Sequence, residues 1–208
     1  MADRWRRLEP LTGVLFAALV AATLIANSAY TPKPSASAAK VVSFYTRHQS
    51  AIETSAILFA LAYTVLVLFA GTSSAYLRRS DKRTGALVLA GGILIAVGGL
   101  ACVAIEYSLA RNIGNLSPEA AKTLNLISAE LFLPARAGVF VFGTGAGIAI
   151  LRGTGLPKLL GWAAIAIALV MLIHIGWVVM PIAHLGFYTV FAFVGWCAVA
   201  GILMYRRP

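Results

Sequence analysis

Six times along its 208 residues the chain carries a mainly apolar run of about 20 residues or more, long enough as a helix to cross the roughly 30 Å hydrocarbon core of a bilayer. The runs cover residues 11–29, 52–77, 85–107, 125–151, 159–180 and 184–204. In hydrocarbon, every backbone N–H and C=O must be satisfied within the spanning structure, so segments of this kind fold as helices. Composition agrees, with 60% hydrophobic residues and 12% charged ones against about a quarter charged in a soluble domain. We therefore expect an all-α polytopic transmembrane bundle of six spans, forming one domain over residues 1–208, in the cell membrane with the lipid bilayer around it.

The net charge of +10 would suggest nucleic acid in a soluble chain. Here the informative quantity is where Lys and Arg lie relative to the spans. Six spans place both termini on one side. That side collects eleven Lys and Arg: Arg4, Arg6, Arg7, Arg78, Arg79, Lys82, Arg83, Arg152, Lys158, Arg206 and Arg207. The other side collects five, namely Lys33, Lys40, Arg47, Arg111 and Lys122. The positive-inside rule then puts both termini in the cytoplasm. No nucleic-acid partner is expected.

Between the spans, residues 31–37 (TPKPSAS) cannot continue a helix and form a loop. Ala38, Val41, Val42 and Tyr45 follow at i, i+3, i+4 and i+7, the apolar face of a short helix over 38–48 that we expect at the outer interface. Ser117, Pro118 and Glu119 are an N-cap, a first-turn proline and a first-turn acid, marking a helix start that feeds the fourth span. Arg4, Arg6 and Arg7 before the first apolar run resemble a secretory leader, but the run exceeds the usual leader length, so a retained first helix is expected. Gly91, Gly92, Gly98 and Gly99 recur in pairs seven residues apart, and Gly143 and Gly147 form a GxxxG. In lipid such stripes let backbones approach closely. The GTGAG around Gly143 is no dinucleotide loop, since no strand precedes it.

The fourth span holds Glu130, Pro134 and Arg136. A proline inside a helix leaves the carbonyl four residues back, here that of Glu130, without its donor. Charges inside a membrane segment are costly and mark functional sites by default. Counting inward from the basic turns, Glu53, Glu106, Glu130 and His184 fall near the outer boundary, and Arg136 and His174 lie about 8 to 9 Å deeper. Apart from tyrosines and Cys197, the cytoplasmic half of each span lacks ionisable side chains. Arg136 either pairs with Glu106 or Glu130 to fix helix packing or serves an anionic ligand. Glu130 is about 240° around the same helix, so a carboxylate from another helix is the better partner. Cys102 and Cys197 sit in different spans, and no disulfide is expected between them.

These residues support a non-catalytic binding or partner subunit whose outward polar pocket, lined by Glu53, Glu106, Glu130, Arg136 and His174, takes a small ligand, a lipid headgroup or a membrane protein partner. Two alternatives stay open. One is an intramembrane metal-dependent hydrolase using His174, His184 and Glu130; there is no HExxH, and neither a resident metal nor a cofactor is expected. The other is a small-solute transporter, disfavoured by the apolar inner half.

Two stretches, VVSFYTRHQSAIETSAILFALAYTVLVLFAGTSSAYLRR at 41–79 and GTGLPKLLGW at 153–162, resemble a family of uncharacterised actinobacterial multi-pass membrane proteins with six helices. The resemblance implies an integral membrane protein and carries over no site residues.

Overall fold

A computed structural model describes residues 7–27, 31–176 and 183–206, with side chains of the last segment described from Tyr188 onward. Among the described residues seven α-helices follow one another: α1 (Thr12–Ala26), α2 (Ala38–Arg47), α3 (Gln49–Leu77), α4 (Lys82–Asn112), α5 (Pro118–Leu151), α6 (Lys158–Gly176) and α7 (Ala183–Arg206). A 3-10 turn, Glu9–Leu11, leads into α1. The described residues contain no strand, and every helix except α2 is long and apolar enough to cross a membrane.

Helix starts follow the local chemistry. Ser117 Oγ accepts from the Ala120 N–H at 3.3 Å and Pro118 occupies the first turn, so α5 begins well before the apolar run at 125. It then continues through Pro134 as a single helix. Asp81 caps α4 by accepting from the Arg83 N–H at 2.9 Å, and its other carboxylate oxygen pairs with Arg152. Gly153 and Gly155, at φ of 110° and 79°, make the turn from α5 to α6 in backbone conformations that favour glycine.

The glycine stripes select which helices touch. On α4, a Cβ added at Gly98 would lie 2.6 Å from the Ala135 amide nitrogen of α5, and one at Gly99 would enter the Tyr63 ring of α3. The paired glycines thus present adjacent faces to two different neighbours. On α5, Gly143 and Gly147 meet the Ala164 and Gly161 carbonyls of α6, each at 2.8 Å from a hypothetical Cβ. This is the close approach that a GxxxG permits.

The start of α1 and the end of α7 lie at one end of the bundle. Gly201 near the end of α7 packs on the Pro10 carbonyl, and Gly13 near the start of α1 packs on the Cys197 carbonyl. The turns join them there: Tyr76 donates to the Thr154 carbonyl at 3.2 Å, and Asp81 pairs with Arg152. Toward this basic end the core is closed by aromatic rings, with Phe142 flanked by Phe69, Phe193 and Trp196 at centroid distances of 6.3, 5.4 and 5.9 Å. At the opposite end α2 turns its Val41 and Tyr45 face onto Ile52, Leu109, Ala110, Ile113 and Ala121. The apolar spacing of its sequence is the face it buries.

Candidate functional site

Below α2 a cavity of about 450 Å³ opens between the helices. All six long helices contribute to its wall: Val20 and Leu24 from α1, Phe59 and Tyr63 from α3, Cys102, Val103 and Glu106 from α4, Ala129, Phe132 and Arg136 from α5, Met171 and His174 from α6, and Val190 and Phe191 from α7. Thr31, before α2, completes the lining. A smaller apolar pouch of about 40 Å³ continues from it, sharing Val20, Phe59, Tyr63, Phe132, Arg136, Met171 and Val190 and reaching Ile95, Val139 and Phe193. A mostly apolar concavity with a few converging polar groups is the usual form of a small-molecule site.

Glu106 is anchored from both sides of the α4–α5 contact. Its Oε1 accepts from Ser128 Oγ at 3.3 Å and from Cys102 Sγ at 3.8 Å, and those two donors are themselves 3.2 Å apart. Ser128 lies one face away from the cavity, so the carboxylate is oriented by a group behind the wall. Among the described residues nothing donates to Oε2.

Arg136 sits deeper. Its guanidinium lies over the Phe132 ring at 5.8 Å from the centroid, an i,i+4 cation–π contact on α5. The expected ion pair with Glu106 or Glu130 is not formed: among the described residues the one Lys or Arg within 4.0 Å of a carboxylate is Arg152, on Asp81. The reason is geometric. Glu106 is level with Ser128, and Arg136 follows Ser128 by two helical turns, about 12 Å. Glu130 is on another face of α5, where it is exposed.

Of the five residues expected to line a pocket, the cavity brings together Glu106, Arg136 and His174. Glu53 is instead half-buried near the start of α3, accepting from Gln49 Nε2 at 3.1 Å, and neither it nor Glu130 is part of the cavity wall. For the alternative metal set, His174 lines the cavity, Glu130 does not, and the side chain of His184 lies outside the described residues. Among the described residues no three His, Cys, Asp or Glu are grouped closely enough to hold a metal ion.

The sequence reading missed Cys102, Ser128 and Asn125. Cys102 precedes Glu106 by one turn and so shares its face, a signal available in the sequence. Asn125, 4% exposed, accepts from the Tyr45 hydroxyl at 3.4 Å and donates to the Pro32 carbonyl at 3.2 Å, fastening the 31–37 loop beside the cavity. Burial, then the nearby Glu106 and Cys102, raise the Tyr45 phenol well above its ordinary range, which keeps it a neutral donor. No signal in the sequence announces this long-range contact. No family model, curated protein or solved structure matches the chain.

Proposed function

We propose that the protein is a non-catalytic binding subunit of the cell membrane, with both termini in the cytoplasm, α2 at the outer interface and the cavity open toward the outside. The resemblance to actinobacterial multi-pass proteins belongs to the same reading. The observation that carries it is a cavity walled by all six long helices in which Glu106, Arg136 and His174 face apolar side chains, with no carboxylate within 4.0 Å of Arg136 among the described residues. A cation held in a membrane interior without an ion pair is expensive, and a bound anionic group would supply the missing partner. Packed rings around Phe142 on the basic side favour binding over passage. The bias of Lys and Arg toward the basic end supports the orientation.

Native mass spectrometry of the purified protein tests this. A small amphiphile retained at one per chain by the wild type, and lost in Ala129→Trp, which fills the cavity from α5, is the expected result. A wild type that retains nothing, or an adduct unaffected by filling the cavity, would overturn the reading.

A further inference from the structure

Two opposite charges face the same cavity without meeting. Glu106 keeps Oε2 free of described donors while Ser128 and Cys102 hold Oε1. Arg136 has no carboxylate within 4.0 Å among the described residues, and its guanidinium lies over the ring of Phe132. Ser128 fixes the level of Glu106, while Arg136 leaves α5 two turns further along with its guanidinium over the ring of Phe132, so the cation sits deeper than the carboxylate. His174 lines the same cavity and offers a second polar group there. Beyond Arg136 the wall becomes predominantly apolar in the pouch that reaches Ile95, Val139, Met171 and Phe193.

From the mouth inward, the cavity thus presents an acceptor for a cation, a donor for an anion, and then hydrocarbon. We propose that the ligand is a zwitterionic phospholipid whose ammonium is joined to a phosphate diester by a short linker, bound with the ammonium at Glu106, the phosphate at Arg136 and the acyl chain toward the apolar pouch. This rests on the reading of the cavity as a binding site and names its ligand class. The charge order decides against other amphiphiles. A fatty acid, or a phospholipid without an ammonium, would leave Glu106 facing a neutral or negative head. A free amino acid carries its ammonium and carboxylate on one carbon, too close together to serve a carboxylate and a guanidinium set at different depths. The guanidinium fork matches phosphate oxygens in pairs, and a carboxylate facing an alkylammonium in a half-dry cavity gains more than it would in water.

The test uses the full-length protein in detergent and three single-chain probes of equal chain length: lysophosphatidylethanolamine, lysophosphatidylglycerol, which keeps the phosphate and lacks the ammonium, and monoacylglycerol, which lacks both. The wild type is expected to bind the ethanolamine form about tenfold more tightly than the glycerol form and monoacylglycerol weakest. Glu106→Gln, which keeps an acceptor for Ser128, should erase the preference between the two phospholipids. Arg136→Gln should weaken both phospholipids by about tenfold and leave monoacylglycerol unchanged. The wild-type ranking stands without either variant, so misfolding of one does not remove the test. Equal affinity for all three probes, or preference for the glycerol form, would sink the headgroup assignment while leaving an apolar binding site intact; saturable binding of none would sink the site itself. Retention of two-chain phosphatidylethanolamine from mixed nanodiscs would identify the bilayer as the source, and retention of the single-chain form alone would identify a free amphiphile.

Discussion

Arg136 carries its charge inside a long apolar helix with no carboxylate within 4.0 Å among the described residues. A buried ion pair can be neutral or worse for folding, and breaking one strands a charge. Arg136 has no such pair to break among the described residues. Its stem and guanidinium are accommodated by Phe132, a contact worth about 0.5 to 2 kcal/mol, while placing an arginine at membrane depth costs about 2.5 to 3.5 kcal/mol on insertion scales. Arg136→Met should therefore stabilise the purified protein by about 1 kcal/mol, seen as a higher midpoint of thermal unfolding, while phospholipid binding falls. A lower midpoint would mean that the guanidinium holds helices together. Glu130, one of the partners expected for it, is legible as a charge in the sequence but not as a bystander. Its placement depends on how α5 is rotated.

That rotation is set at the scale of the element. The helices α4 and α5 touch through Gly91, Gly98 and Gly138, where the hypothetical Cβ of Gly138 falls 2.6 Å from both the Gly91 carbonyl oxygen and the Ile95 nitrogen. Backbone lies on the other side, so no side chain can yield. Gly138→Val should force the two helices apart, lower stability by about 1 to 3 kcal/mol as overpacked cores do and displace Ser128 from Glu106. Gly71 in α3 provides the contrast, with nothing within 4 Å of its hypothetical Cβ. Gly71→Ala should raise stability by up to about 1 kcal/mol through helix propensity alone. Paired thermal melts in one detergent compare the two, and equal effects would show that the stripe is not a contact surface. The spacing of these glycines was readable in the sequence. Which neighbour each one meets was not, because Gly91 and Gly92 serve different helices.

For the whole molecule, what the cavity can meet depends on which end of the bundle faces outward. Thr31 and α2 sit at the cavity end, and Arg79, Lys82 and Arg152 at the other. Cysteine labelling decides the orientation, since the native Cys102 and Cys197 are both buried. Ser35→Cys should react with a membrane-impermeant maleimide in intact cells, and Arg79→Cys only after the membrane is opened. The reverse pattern would turn the cavity toward the cytoplasm, where the asymmetry of Lys and Arg argues against placing it.

The sequence by itself determined the number of long apolar helices, the amphipathic face of α2, the capped start of α5 and the uneven distribution of basic residues. Each of these depends on neighbours within about two helical turns or on summed composition, and such signals survive without a fold. Only the tertiary structure decided that Glu106, Arg136 and His174 share a cavity while Glu53 and Glu130 lie outside it, that Arg136 has no carboxylate within 4.0 Å among the described residues, and that Asn125 fastens Pro32 beside the cavity. Depth along a helix can be counted from its ends. Direction around it is fixed by which small residues let which backbones touch, and that is settled only when all the helices pack together.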